Sequence, residues 1–407
     1  MLRKFKFIDL FCGVGGFHLA LSSLGGECVF ACDIDDSCRA VYKDNFGMEP
    51  YGDITKINER DIPGHDVLCA GFPCQSFSKA GDRLGLDDTR GTLFLDIVRI
   101  IKECRPSYLI LENVRNLIGH DKGNTWRVIS DNLNHLGYSF QNPPIIFSPH
   151  LLGIPQFRER VIILAQRKDL PPNSGIYFKG LSRSVSCNIE DILHKKGENV
   201  NLAPYALSKD EIKLIDTWNE FAQGIKGPLP GFPIWADEFK GEYDYSDLPK
   251  WKQEFLRKNR EFYIRNKNFI DRWLKKHHNL QNIKPSRRSF EWQAQDSERD
   301  LWKLIIQIRP SGIRVKRPTY FPGLVAITQT SIVGKLRRRL TPREVARLQS
   351  FPDDFRFNVN EKTIYKQMGN SINVEVIKFF ASRLLKIECQ AKERVEVNNE
   401  IQISLPI

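Results

Sequence analysis

Over its first 167 residues the chain alternates short apolar runs with amphipathic stretches. Apolar runs predict strands at Phe5 to Phe11, Cys28 to Cys32, Asp66 to Gly71, Tyr108 to Leu111 and Val161 to Ala165. Between them, apolar positions recur with helical spacing at about Gly16 to Leu24, Asp36 to Asn45, Thr92 to Glu103 and Thr125 to Leu136. Strands that alternate with helices imply an α/β fold with a doubly wound, mostly parallel sheet.

From about Lys168 that alternation is lost, and proline, tryptophan and basic residues become frequent. Trp251, Phe255, Phe262, Phe269 and Trp273 recur at spacings of four and seven, which predicts one helix over Lys250 to Lys276 with aromatics along one side. Such a stripe reads as core, with the intervening Lys and Arg on the wet faces. Further on, Thr341, Pro342 and Glu344 have the pattern of an N-cap, a first helical residue and a capping-box partner. A second helix is expected to run from Asn370-Ser371-Ile372 to about Leu385. The stretch 387–407 is polar and is read as a tail.

Composition narrows the class. Hydrophobic residues at 41% and charged residues at 27% are those of an ordinary globular protein. A net charge of +12 favours a polyanionic partner, although a generic basic enzyme has a similar balance. Nine irregularly spaced cysteines, several in apolar runs, read as reduced thiols in a cytoplasmic protein and not as a disulfide framework. Cys28-x3-Cys32 lacks a second ligand pair at zinc spacing, so no metal is expected. The basic start Met1-Leu2-Arg3-Lys4 is followed too soon by Asp9 and Gly13 for a signal peptide, and no apolar run reaches membrane-spanning length.

Candidate chemistry collects at the strand ends. Asp9-Leu10-Phe11-Cys12-Gly13-Val14-Gly15-Gly16 links a strand to a helix, and its glycines let backbone approach a ligand at the carboxyl edge of the sheet. A dinucleotide fingerprint would need glycine where His18 stands, which weakens a dehydrogenase reading. Asp33 and Asp53 follow the next strand ends and could accept hydrogen bonds from ribose hydroxyls. Cys74 follows Pro73, which fixes the backbone just before it. Glu112 leaves an apolar run, and alternation sets Arg158 and Arg160 on one face. A nucleophile, an acid and two guanidiniums at three strand ends form a plausible active site.

In order and spacing these segments resemble the cytosine-5 DNA methyltransferase family. The resemblance rests on Asp9 to Gly16, Pro73-Cys74-Gln75, Glu112-Asn113-Val114, Gln156-x-Arg158-x-Arg160 and Gln367-Met368-Gly369-Asn370-Ser371. It covers roughly residues 5–167 and 336–385 and leaves the middle unmatched. It implies an S-adenosyl-L-methionine-dependent methyltransferase fold with an inserted target-recognition domain. The domains expected are a catalytic one over 1–167, the target-recognition domain over 168–335, and a segment 336–386 that returns to the first.

The resemblance also implies the chemistry. The Cys74 thiolate adds at C6 of cytosine, making C5 nucleophilic toward the sulfonium methyl, and S-adenosyl-L-homocysteine is the product. Glu112 is expected to hold N3 and the exocyclic amine, Arg160 to contact the base and Arg158 to support the same pocket. Cofactor contacts are expected from Asp9, Phe11, Gly13, Gly15, Gly16, Asp33, Ile34, Asp53, Ile54, Pro73, Leu93, Asn370 and Ser371.

Neither ring carbon is accessible inside a stacked duplex, so the cytosine must be flipped out. Residues 76–90 read as a loop that closes over it, with Gln75 in the vacated space and Ser78, Lys79 and Arg83 toward the DNA. Arg287, Arg288 and Arg314 are candidate base readers. The expected partners are duplex DNA and a cognate restriction endonuclease that spares methylated sites, with the enzyme itself monomeric. An RNA cytosine methyltransferase and a non-catalytic DNA-binding relative remain as alternatives.

Overall fold

In the computed structural model the described residues are 4–73, 93–181, 185–240, 246–326 and 331–387. Cys74, Gln75, Ser78, Lys79, Arg83 and the expected closing loop lie outside them. The chain divides into two compact units, one of 1–188, 322–327 and 345–407, the other of 189–321 and 328–344.

The first unit begins with β1 (Phe5–Leu10), α1 (Gly16–Ser22), β2 (Gly26–Cys32), α2 (Asp36–Phe46), β3 (Val67–Gly71), α3 (Leu93–Cys104), β4 (Tyr108–Val114) and α4 (Asn124–His135). Three short strands follow, β5 (Tyr138–Phe140), β6 (Ile145–Phe147) and β7 (Gln156–Phe157), and then the long β8 (Arg160–Arg167). The central sheet has the order β2-β1-β3-β4-β8-β5, with β6 also on β8. The four strands from β2 to β4 are parallel, and β8 runs antiparallel to β4, β5 and β6.

Burial explains why the sequence reads as continuous apolar runs. β3 and β4 are covered on both faces, so Val67 to Ala70 and Leu109 to Leu111 are all buried. α3 lays Phe94, Ile97, Ile100 and Ile101 against that sheet at helical spacing. α2 starts where Asp35 accepts from the backbone N–H groups of Ser37 and Cys38, and stops at Gly47, whose φ of 66° few other residues adopt readily. Strand order reverses between β1 and β3, which leaves a crevice at their carboxyl ends.

The second unit contains α5 (Lys209–Gly224), β9 (Ile234–Trp235), α6 (Lys250–Lys276), β10 (Ser289–Gln293), β11 (Ile305–Arg309) and β12 (Gly312–Lys316). Phe321–Pro322 forms a short strand, β13, before β14 (Ile332–Val333) and β15 (Arg338–Arg339). Its sheet has the order β15-β14-β11-β12-β10-β9. Within β10 Phe290 and Trp292 are buried and their neighbours half-buried, the pattern of a strand with one face on the core. Phe262 and Trp273 of α6 pack into the same core with Trp218, Phe221 and Phe290, as a core stripe should, whereas Trp251 is 61% exposed. Arg338 and Glu344 form a buried two-pronged ion pair at 2.6 and 2.7 Å.

The chain then enters α7 (Pro342–Leu348), α8 (Glu361–Asn370) and α9 (Val374–Leu385). The unit boundaries differ from the expected 168 and 336. Residues 168–188 stay with the first unit, where Asn173 donates to the Leu384 carbonyl and Gly175 lies against the backbone of Arg383. Residues 336–344 stay with the second, through the pairing of β15 with β14 and the Arg338–Glu344 pair.

Candidate active site

The crevice at the ends of β1, β2 and β3 is a cavity of about 480 Å³, within the range of small-molecule sites. Its floor is the glycine loop. Gly13 has φ +53° and Gly15 φ +91°, and the Gly13 N–H donates to Asp33 Oδ2 at 2.8 Å. Asp33 Oδ1 accepts from the Asp35 N–H at 2.8 Å. One carboxylate therefore fastens the loop after β1 to the turn after β2. Burial pushes the Asp33 carboxyl above its usual range, opposed by those two backbone donors.

Ile34, next in the chain, is 74% exposed and lines the cavity. A methyl group added at Gly16 would lie 2.6 Å from Ile372 Cγ1, so glycine is what allows α1 to meet the C-terminal segment.

Of the residues expected at a cofactor, Phe11, Gly13, Gly16, Asp33, Ile34, Asp53, Ile54, Pro73, Leu93, Asn370 and Ser371 line the cavity. Asp53 also caps the turn beginning at Ile54, accepting from both the N–H and the hydroxyl of Thr55. Gly15 does not line the cavity and serves as the N-cap of α1. Asp9 does not reach it either, being fully buried beneath the loop with no hydrogen-bond partner for either oxygen. Desolvation, then the charge of Asp33, push its carboxyl well above the usual range; the opposing pull of the His18 N–H falls short of a hydrogen bond.

Glu112 and Arg160 border the same cavity from the ends of β4 and β8. Antiparallel pairing of these strands sets Val114 opposite Arg160, and the Arg160 Nε lies 2.9 Å from Glu112 Oε1. Burial raises the Glu112 pKa, while Arg160 first and Arg158 next hold it down. A carboxyl balanced in this way can share a proton with a ring nitrogen.

Arg158 occupies a different position from its neighbour. Its guanidinium is buried and donates to the carbonyls of Leu324 at 2.6 Å, Gly369 at 2.7 Å and Ser371 at 3.0 Å. Burial, and next the charge of Arg160, pull its pKa down to about 9. It holds the wall of the cavity in place and is a positioning group.

The family model for C-5 cytosine-specific DNA methylases matches residues 5–386. The chain belongs to that family. It is 38% identical to the type II methyltransferase M.AluI of Cellulosimicrobium cellulans, over 92% of this chain and 91% of that one. To the type II methyltransferase M.HhaI of Haemophilus parahaemolyticus it is 33% identical, over 93% and 94% respectively. Among solved structures, a putative DNA modification methyltransferase encoded within a prophage of E. coli shares the fold. Its TM-score is 0.57 at 20% identity, covering 94% of this chain and 99% of that one. Among the described residues no helix is long and apolar enough to cross a membrane.

This DNA methylase has a site residue that the sequence reading passed over. Asn113, within the Glu112-Asn113-Val114 motif, is buried and donates from Nδ2 to the carbonyl of Phe72 at 2.8 Å, while its Oδ1 accepts from the Val114 N–H. It ties the acid strand to the residue just before Pro73. The signal was present, since a buried amide in an apolar strand needs a partner, but its target lies 41 residues away.

Gln367, named in the motif but given no role there, donates from Nε2 to the Ser37 carbonyl at 3.2 Å and so anchors α8 to the start of α2. The three candidate base readers are engaged within the second unit. Arg287 donates to the Arg309 carbonyl, Arg288 to the Ile283 carbonyl and to Asp237, and Arg314 to Glu291 at 2.7 Å.

Proposed function

We propose that this methyltransferase uses S-adenosyl-L-methionine to methylate C5 of a flipped-out cytosine at a specific site in duplex DNA, with Cys74 as nucleophile. The observation that carries the reading is the Glu112–Arg160 pair opening onto the same cavity as the glycine loop. Cofactor and base would then meet at one place.

The residues present suit that cofactor. An open glycine cradle, a buried acid fastening two loops, an exposed isoleucine and a polar wall from Asn370 and Ser371 match an amino acid joined to a nucleoside. Bound there, S-adenosyl-L-methionine supplies an electrophilic methyl group. In this reading the Cys74 thiolate forms a bond to C6, and electron density moves to C5. Glu112 holds N3 and the exocyclic amine, and Arg160 keeps Glu112 oriented while facing the base. Loss of the C5 proton lets the electron pair expel Cys74, restoring the thiolate. Pro73 and the Asn113–Phe72 bond fix the backbone leading into the nucleophile.

Relatives named type II methyltransferases support a restriction-modification role, in which a companion endonuclease spares methylated sites. The test is covalent trapping on duplexes that carry 5-fluorocytosine, whose fluorine cannot leave as a proton. A denaturation-resistant adduct that needs both cofactor and Cys74 is expected on DNA, and sequencing the trapped duplexes identifies the site. An adduct on RNA alone, or none on a folded, cofactor-binding protein, overturns the proposal.

A further inference from the structure

α6 carries ten Lys and Arg against three acids, a surplus of seven in a chain whose whole net charge is +12. Its buried side is core, through Leu256, Phe262, Tyr263, Ile270, Trp273 and Leu274. On its wet side several cations are neutralised. Arg257 pairs with Glu261, Lys258 with Glu254, Lys267 with Asp271 and Lys276 with Glu220.

Of the six remaining cations, three stand together on one face. Arg265, Arg272 and Lys275 are exposed and have no carboxylate partner among the described residues. Spacings of seven and three place them in one row, about 15 Å long at 1.5 Å per residue. The kink at Asn266 adjoins the first member and leaves the row in solvent, because Asn268 between them is exposed as well. Like charges in a row repel one another, a cost that no carboxylate partner among the described residues relieves and a polyanion would.

We infer that the Arg265–Arg272–Lys275 row is a sequence-independent docking surface for the phosphate backbone of duplex DNA. This rests on the DNA-methylating reading and extends it to a helix that carries no part of the cofactor cavity. One strand of a duplex presents a phosphate about every 3.4 Å along its axis, so a 15 Å row spans several. The row contributes affinity and salt dependence, and leaves the choice of base to other residues.

The experiment measures binding to a mixed-sequence 30-base-pair duplex across a salt series. It compares wild type with the triple variant Arg265→Gln, Arg272→Gln, Lys275→Gln and with the charge-keeping variant Arg265→Lys, Arg272→Lys. Each phosphate contact contributes about 0.9 to the slope of log K against log salt. The triple variant should therefore show a slope shallower by about 2.7. Between 50 and 200 mM salt the wild type should then lose about forty-fold more affinity than the triple variant.

The charge-keeping variant should retain the wild-type slope. Exposed substitutions opposite a packed core leave the fold intact, which thermal melts check. A triple variant that matches the wild-type slope overturns the inference while leaving the DNA reading in place. A wild type that fails to bind any duplex at low salt overturns both.

Discussion

Gly16→Ala should destabilise the catalytic unit, and Ile372 should account for the loss. Gly16 opens α1, where alanine is normally the better residue by roughly 0.5–1 kcal/mol. Here the added methyl would sit 2.6 Å from Ile372 Cγ1, about 1 Å inside an ordinary carbon contact. Ile372 is branched at Cβ and has little freedom to turn away. Overpacking of this kind costs about 1–3 kcal/mol, so the substitution should be net destabilising by about 1–2 kcal/mol. In an Ile372→Ala background the clash is gone, and the helix preference should make Gly16→Ala neutral or mildly stabilising.

A double-mutant cycle, read by thermal melts and by cofactor titration calorimetry, should thus give a coupling of about 2 kcal/mol. Gly16→Ala alone should also weaken cofactor binding, because the displaced Ile372 lines the cavity. Coupling below about 0.5 kcal/mol would refute the reasoning, since distant, independent sites show no more than that.

Three further outcomes follow from the same geometry. Arg158→Lys removes a planar group that reaches three carbonyls, so cofactor affinity should fall by roughly 10–100-fold with Cys74 adduct formation preserved at saturating cofactor. Unchanged cofactor affinity would refute the positioning role. Asn113→Ala leaves the Phe72 carbonyl without its side-chain donor, costs about 1–3 kcal/mol, and should lower kcat more than it raises KM; a pure KM effect counts against it. His18, hydrogen-bonded to Tyr42 and stacked on Phe46, is pushed by burial from 6.5 down to about 4. Between those values the unfolded chain binds the proton first, so stability is full above pH 6.5 and declines as pH falls toward 4. His18→Asn should flatten that acid limb in urea titrations, and an unaltered limb would assign it to other groups.

Long periodic elements were legible in the sequence, and contacts distant in sequence were not. The helix over Lys250 to Lys276 was readable because its aromatics recur over about six turns, and β3 and β4 because buried parallel strands are continuously apolar. β5 and β6 have three residues each, too few to show a period, and they join β8 by antiparallel pairing that no local pattern announces. The end of the first unit was placed at 168 because regular strands stop there. What holds 168–188 is Asn173 meeting Leu384, a bond across 211 residues. Motif order grouped Arg158 with Arg160, but Arg158 lies between β7 and β8 and not on one strand face with Arg160, and spacing could not show that one meets Glu112 and the other the carbonyls of 324, 369 and 371.

The cavity takes its last wall from Gly369 to Ile372, far along the chain from its first lining residue, Phe11. During synthesis at about 5–20 residues per second, a nascent chain exposes the glycine loop, Cys74, Glu112 and Arg160 long before that wall exists. A polypeptide halted between Arg160 and Gly369 carries the proposed reacting groups and still lacks that wall. Completion of the cavity is thus coupled to synthesis: a product truncated before Gly369 should be inert, whatever reacting groups it carries.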